Sequence, residues 1–174
     1  MDQVEKSLWQ ADYNHLQESN ILAFANFVST RHSCNLRSWK KLHRWSISET
    51  TLFWEAISDF LEIKWRNKPE KTYEADPNNA MLSAKWFLGG KLNFAENLLN
   101  QAPEEDAIIS LREGSLPLRY SKKTLYNDVR LLAKALKRSG ISKGDVVAAA
   151  ITNSYESVII FLATASLGAI FSSC

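Results

Sequence analysis

Trp86–Leu99 reads WFLGGKLNFAENLL, and the chain divides there. The stretch holds the only Gly-Gly pair in the sequence, followed by a short amphipathic run. All six tryptophans (Trp9, Trp39, Trp45, Trp54, Trp65 and Trp86) lie in the first 86 residues. Aromatic side chains bury large areas and need a surface to bury against. The upstream part therefore reads as a helical arm that docks on a larger body. The alternative is a small aromatic-rich core of its own. Downstream, the pattern is that of an α/β sheet.

The 174 residues suffice for one domain, or for a domain with an extension. With 45% hydrophobic and 23% charged residues, a packed core is expected rather than global disorder. The first 102 residues carry 12 basic and 12 acidic side chains, and the remaining 72 carry 9 and 7. Neither part is a strongly basic module, which argues against a general nucleic-acid binder. Two distant cysteines, Cys34 and Cys174, suit reduced thiols in the cytoplasm better than a disulfide scaffold. The start, MDQVEKSLWQ, lacks a signal-peptide pattern. No window reaches the roughly 18 apolar residues of a membrane helix.

Upstream, Met1–Glu18 reads as a loosely attached lead segment. A helix is expected over Asn20–His32, capped by Ser19 or Asn20, with Ile21, Phe24, Phe27 and Val28 on one face. In Leu36–Trp45 (LRSWKKLHRW), cations interleave with tryptophans, a pattern that can bind RNA or phosphate. Leu36, Trp39 and Leu42 also recur every three residues, and an amphipathic helical turn with solvated cations is the favoured reading. Ser46-Ile-Ser-Glu49 reads as a capping box opening a helix over Ile47–Ile63, with Leu52, Phe53, Ala56, Ile57, Phe60 and Leu61 inward. The polar, proline-bearing run Arg66–Asn79 reads as a loop.

Downstream, Gln101–Asp106 reads as a polar break. Ala107–Leu111 is a strand, Glu113-Gly114-Ser115 a turn, and Leu116–Tyr120 pairs back. Ser121 caps a helix over Lys122–Arg138 with the stripe Leu125, Val129, Leu132, Ala133 and Leu136, ended by Gly140. Val146–Ile151 has no alternation, as in a parallel strand covered on both faces. Asn153 caps a helix over Ser154–Leu167 that is apolar nearly all round, and Ala169–Ser172 begins another strand. The expected fold is α/β: a helical, Trp-rich arm, then the first strands and helices of a mostly parallel sheet. A last strand without partners implies the N-terminal part of a longer enzyme, an incomplete large domain.

Little catalytic chemistry is visible. There is no GxxxxGK[ST], GxGxxG or GxSxG. His15, His32 and His43 have no ligand-spaced Cys or carboxylate, so no metal site is expected. Glu104-Glu105-Asp106 reads as a solvated loop rather than an acid/base pair. Gly89-Gly90 before Lys91 could present amides to an anion at a helix start. The favoured reading is that the glycines let Trp86 and Phe87 turn into the core.

Two stretches carry a family resemblance. Trp86-Phe87-x-Gly89-x-x-Leu92-Asn93-x-Ala95-Glu96-Asn97-Leu98-Leu99 resembles the N-terminal region of the acetoacetyl-CoA synthetases, within the adenylate-forming acyl-CoA synthetase superfamily. Leu88, Gly90 and Phe94 depart from that family's usual Trp-Phe-Pro-Gly-Ala and Leu-Asn-Tyr. Leu162–Cys174 (LATASLGAIFSSC) is similar to the family's run before a Ser-Pro-Asp-Phe-Gly segment. Arg119-Tyr-Ser through Gly144-Asp145-Val146-Val147 resembles the superfamily in general. The resemblance implies a helical N-terminal extension of acetyl-CoA-synthetase type over residues 1–102 and the start of an AMP-binding α/β domain over 103–174. It implies an ATP-dependent, AMP-forming ligase joining acetoacetate to CoA through an acyl-adenylate, with ATP, Mg²⁺ and CoA as cofactors of the full-length enzyme. The family's phosphate loop and mobile domain lie beyond Cys174. No catalytic residue maps onto these positions, cofactor-binding residues stay unassigned, and the fragment alone is expected to be inactive. Expected partners are the small-molecule substrate and the rest of the chain, or a second copy of the fragment; neither nucleic acid nor membrane is expected. The alternatives are a ligase for acetate or propionate, and a non-catalytic oligomeric module that covers its open sheet edge.

Overall fold

The computed structural model describes residues 12–76, 82–99 and 104–174. In chain order its elements are α1 (Tyr13–Gln17), α2 (Asn20–Arg31), α3 (Trp39–Ser48), α4 (Thr50–Phe60), β1 (Trp65–Asn67), β2 (Lys71–Glu74), β3 (Lys85–Leu88), β4 (Lys91–Leu92), α5 (Phe94–Leu98), β5 (Asp106–Ser110), β6 (Leu118–Ser121), α6 (Lys122–Arg138), β7 (Val146–Ala149), α7 (Tyr155–Ser166) and β8 (Ile170–Ser173). They form two units, Met1–Ile63 with Pro69–Gly89, and Lys64–Lys68 with Gly90–Cys174. The first eleven residues, with Trp9, and parts of the expected loop and break at 77–79 and 101–103 lie outside the described residues.

In the first unit, α2 starts as its sequence dictates. Ser19 Oγ accepts from the Leu22 N–H at 3.3 Å, satisfying a donor that the first turn leaves without a partner. Its buried face is Phe24, Ala25 and Val28, which leaves Ile21, expected on the stripe, exposed. The next helix corrects the expected capping box. Ser38 Oγ accepts from the Lys41 N–H at 3.3 Å and starts α3 there. Ser46 lies inside that helix and donates to the His43 carbonyl at 2.8 Å. Glu49 precedes α4 and makes no side-chain capping bond. Starting at Ser38 buries Leu42 and leaves Trp39, expected inward, 63% exposed and tilted against His43. Leu61, also expected inward, lies past the end of α4 and is exposed.

The aromatic residues of this unit pack on one another. Phe24 meets Phe53 and Phe60 edge-on, with ring centroids 5.9 and 5.3 Å apart, the geometry that ring quadrupoles favour. Trp45 joins Phe53, and Trp54 meets Trp86 at 5.3 Å. Trp86 also lies on Tyr73, its cross-strand partner in the antiparallel pair β2–β3. The run Arg66–Asn79 is therefore not simply a loop: it holds the end of β1, whose Trp65 and Asn67 pair with Leu92 and Lys91 of β4, and all of β2, whose Lys71 pairs with Leu88 of β3.

In the second unit, β5 and β6 form the expected hairpin, and Ser121 Oγ accepts from the Thr124 N–H to start α6. Leu125, Val129, Leu132, Ala133 and Leu136 all pack into one core with Ala95, Leu162 and Ala163. Gly140 ends the helix at φ +92°, where a side chain would be strained. The Gly140 and Ile141 N–H groups donate to the Lys137 and Leu136 carbonyls, closing a Schellman motif. β7 and β8 pair in parallel from Val146↔Ile170 to Ala149↔Ser173. Two expectations change here. The cap residue of α7 is Ser154, not Asn153. The sheet is not covered on both faces, since Val146 and Ile170 stand exposed. α7 itself is buried only at Tyr155, Leu162, Ala163 and Thr164. Among the described residues, no helix is long and apolar enough to cross a membrane.

Candidate functional site

The run Leu92–Leu99 works as a polar clamp, residue by residue. Leu92 sits in β4 opposite Trp65 of β1. Asn93 Oδ1 accepts from the Glu96 N–H at 3.0 Å and starts α5. Its Nδ2 donates to the Ala165 and Ser166 carbonyls at 3.0 and 3.2 Å, engaging the last turn of α7, where the Ala165 carbonyl also accepts from the Gly168 N–H. Ala95 is fully buried among Val129, Leu162 and Ala163, where a larger residue would overpack the core. Glu96 accepts from Arg66 at 3.1 and 3.2 Å. Asn97 bonds both sides of one residue: Oδ1 accepts from the Lys64 N–H at 2.8 Å and Nδ2 donates to the Lys64 carbonyl at 3.3 Å.

The glycines before the clamp do not form an anion site. Gly89 adopts φ +73°, and a Cβ there would come within 3.3 Å of the Glu70 carboxyl group, so negative charge already occupies that side. Phe87 itself takes φ +47°, so the turn is shared between an aromatic residue and a glycine. Trp86 is 43% exposed rather than core.

Glu104, Glu105 and Asp106 face Lys123, Lys122 and Arg119, one cation each. The Lys123 ammonium, 2.9 Å away, holds the Glu104 carboxyl below its usual range. Three matched surface pairs leave no carboxylate poised to take a proton. His15 bonds Asp12, and the cations Arg37, Lys40, Lys41 and Arg44 are exposed, as solvated side chains.

The parallel pair brings together residues that sequence reading did not assign to a site. In open α/β sheets, ligands bind in the crevice outside the carboxyl ends of the strands. A cavity of about 380 Å³ lies there, lined by Thr152 and Asn153 of the β7–α7 connection, Ser157 and Phe161 of α7, Ser173 at the end of β8 and Cys174 after it. The backbone ladder runs to its edge, where the Cys174 N–H donates to the Ala149 carbonyl at 3.1 Å and the Ile151 N–H to the Cys174 carbonyl at 3.3 Å. The described lining holds no charged side chain and no histidine. It can receive a ligand through hydroxyl, amide and apolar groups, but it holds no nucleophile–base pair. The signal available in sequence was the polar Thr152-Asn153 pair directly after a continuous apolar run.

Residues 39–98 match the family model of the acetyl-coenzyme A synthetase N-terminus, and residues 95–174 match that of the AMP-binding enzymes. The acetoacetyl-coenzyme A synthetase of Rhizobium meliloti is 34% identical over 172 residues, covering 99% of this chain and 26% of that relative. The malonamoyl-CoA synthetase of Penicillium aethiopicum is 32% identical, covering 96% of this chain and 24% of the relative. The solved acetoacetyl-CoA synthetase from Streptomyces lividans superimposes with a TM-score of 0.84 at 28% identity, covering 97% of this chain and 26% of that one. The chain thus spans about a quarter of the length of the relatives it matches. Residues 39–98 and 95–174 thus match, in turn, the acetyl-coenzyme A synthetase N-terminus and the AMP-binding enzymes, and the chain is similar over nearly its whole length to acetoacetyl-CoA synthetases.

Proposed function

We propose that the chain is the N-terminal portion of an ATP-dependent, AMP-forming ligase joining acetoacetate to CoA. The observation that carries this reading is the 34% identity to an acetoacetyl-coenzyme A synthetase over 99% of the chain. In this reaction an acetoacetate carboxylate oxygen attacks the α-phosphorus of ATP, and the bond to pyrophosphate breaks. The CoA sulfur, losing its proton, then attacks the acyl carbonyl and AMP leaves. Such chemistry demands neutralised phosphate charge. Among the described residues, no three metal-ligating side chains come together.

Within this reading, residues 1–102 serve as the helical extension and 103–174 open the AMP-binding domain; the changeover between family models at 95–98 supports a boundary in this neighbourhood. Two free cysteines support a reducing, cytoplasmic setting. The 32% identity to a malonamoyl-CoA synthetase supports a second reading, a ligase for another short acid.

The test is the acid dependence of pyrophosphate release by the native gene product. Acetoacetate is expected to exceed acetate, propionate and malonamate by about tenfold, a difference of about 1.4 kcal/mol in barrier. A faster rate with another acid overturns the acetoacetate assignment, and no release with any of them overturns the ligase. The isolated 174 residues are expected to release none.

A further inference from the structure

A second cavity in the Lys64–Lys68/Gly90–Cys174 unit, of about 620 Å³, shares no lining residue with the crevice at the strand ends. Five cations line it: Lys64 and Arg66 at β1, and Arg130, Lys134 and Lys137 on α6. The only carboxylate in the described lining is Glu96, and its Oε2 is held by Arg66 at 3.1 Å. Lys64, Arg130, Lys134 and Lys137 have no ion-pair partner among the described residues. This excess of positive charge sits in a chain whose net charge is only +2.

Spacing explains the cationic wall. Arg130, Lys134 and Lys137 fall at i, i+4 and i+7, one face of a helix, and span about 10 Å along it. The floor is different in kind: Val129 and Ala133 belong to the apolar core of the unit. Like charges placed side by side repel, and those four cations carry no compensating carboxylate. An anion in the cavity would relieve that repulsion, and a wall of low polarity strengthens its attraction. The volume falls in the range of small-molecule sites, which combine an apolar lining with a few placed polar groups.

We propose that this cavity binds a small organic polyanion, with two or more phosphate or carboxylate charges on an apolar or aromatic body. Apolar contact holds the body, and Arg130, Lys134 and Lys137 hold the charges. The proposal does not rest on the ligase reading and stands whichever acid is activated.

The probe is 1-naphthyl phosphate, titrated into the isotopically labelled protein at 0.15 M salt and followed by amide shifts, with 1-naphthol and inorganic phosphate as half-probes. The expected result is binding about tenfold tighter than either half-probe, with shifts at Lys64–Arg66 and residues 130–137. The double variant Lys134→Glu/Lys137→Glu should lose about tenfold in affinity while keeping its unfolding midpoint, since both side chains are exposed. Lys123→Glu, outside the cavity, should bind as the parent does. Equal affinity for all three probes, shifts elsewhere, or an equal loss in Lys123→Glu overturns the proposal. So does displacement of the probe by a single-stranded RNA that binds more tightly.

Discussion

The two units solve the same packing problem with different materials. Around Phe24 the first unit is aromatic, with short helices meeting through ring edges and few polar bonds in its core. Around Val129 and Leu162 the second is aliphatic and fastened at its margins by side chains that bond backbone carbonyls and amides. The aromatic unit concentrates its stability in a few large side chains. The aliphatic unit divides it between a close-packed core and named hydrogen bonds. The two should therefore fail in different ways.

The largest effect expected is Phe24→Ala. Removing a buried ring that touches two others costs about 3–5 kcal/mol. Trp39, Trp45, Trp54 and Trp86 belong to that unit, so their fluorescence should shift toward solvent at lower denaturant while far-UV helicity from α6 and α7 persists. A single coincident transition would show instead that the units unfold together. In the second unit, Asn93→Ala is expected to cost about 2–3 kcal/mol, combining a lost N-cap with two lost bonds to the Ala165 and Ser166 carbonyls. Chemical denaturation measures it. A loss below about 0.5 kcal/mol would sink the clamp and with it the contrast between the units.

Tyr155 tests the polar fastening inside the core. Its ring stacks on Tyr120 at 3.7 Å and its hydroxyl donates to Asp128 at 2.9 Å. Tyr155→Phe keeps the stack and leaves the carboxylate without its donor, for an expected loss of about 1–2 kcal/mol. Burial, then the neighbouring Asp128 carboxylate, pushes the phenol well above the ordinary tyrosine range. A group with a raised folded pKa contributes fully below the unfolded value, about 10 for tyrosine, and loses that contribution as pH rises above it. The parent should therefore lose stability above about pH 10 more steeply than Tyr155→Phe. Parallel curves would remove Tyr155 as the cause.

What could be read in the sequence follows the same division. The hairpin, α6 and its stop were visible because their signals are local: Ser121, a five-residue stripe and Gly140 lie within twenty residues. The start of α4 was misplaced because Ser46 and Glu49 fit a capping box, whereas Ser46 lies inside α3, which Ser38 opens and which buries Leu42. β1 to β4 were missed because strands of two to four residues carry no alternation, and their pairing, Trp65 with Leu92 or Lys71 with Leu88, is non-local. The Leu-Asn-x-Ala-Glu-Asn run identified a family before its mechanics were known. Those depend on Lys64, Arg66 and Ala165, which no local pattern connects to it. The two cavities were invisible for the same reason, since strand pairing assembles one and residues some seventy positions apart assemble the other.

The smallest effect expected has the opposite sign. Thr164 is fully buried in α7, and its hydroxyl has no hydrogen-bond partner among the described residues. A buried donor without a partner costs free energy that an apolar group of the same shape avoids. Thr164→Val is nearly isosteric and leaves no cavity, so stability should rise by about 1 kcal/mol, read as a higher denaturation midpoint at unchanged slope. Among the described residues the first unit offers no equivalent: its buried hydroxyl, Thr72, donates to Glu55 at 3.1 Å, and Thr72→Val should destabilise. If Thr164→Val destabilises as Thr72→Val does, the Thr164 hydroxyl has a partner in solution and this difference between the units disappears. If the two variants move in opposite directions, the aliphatic core carries a correctable defect that the aromatic one lacks.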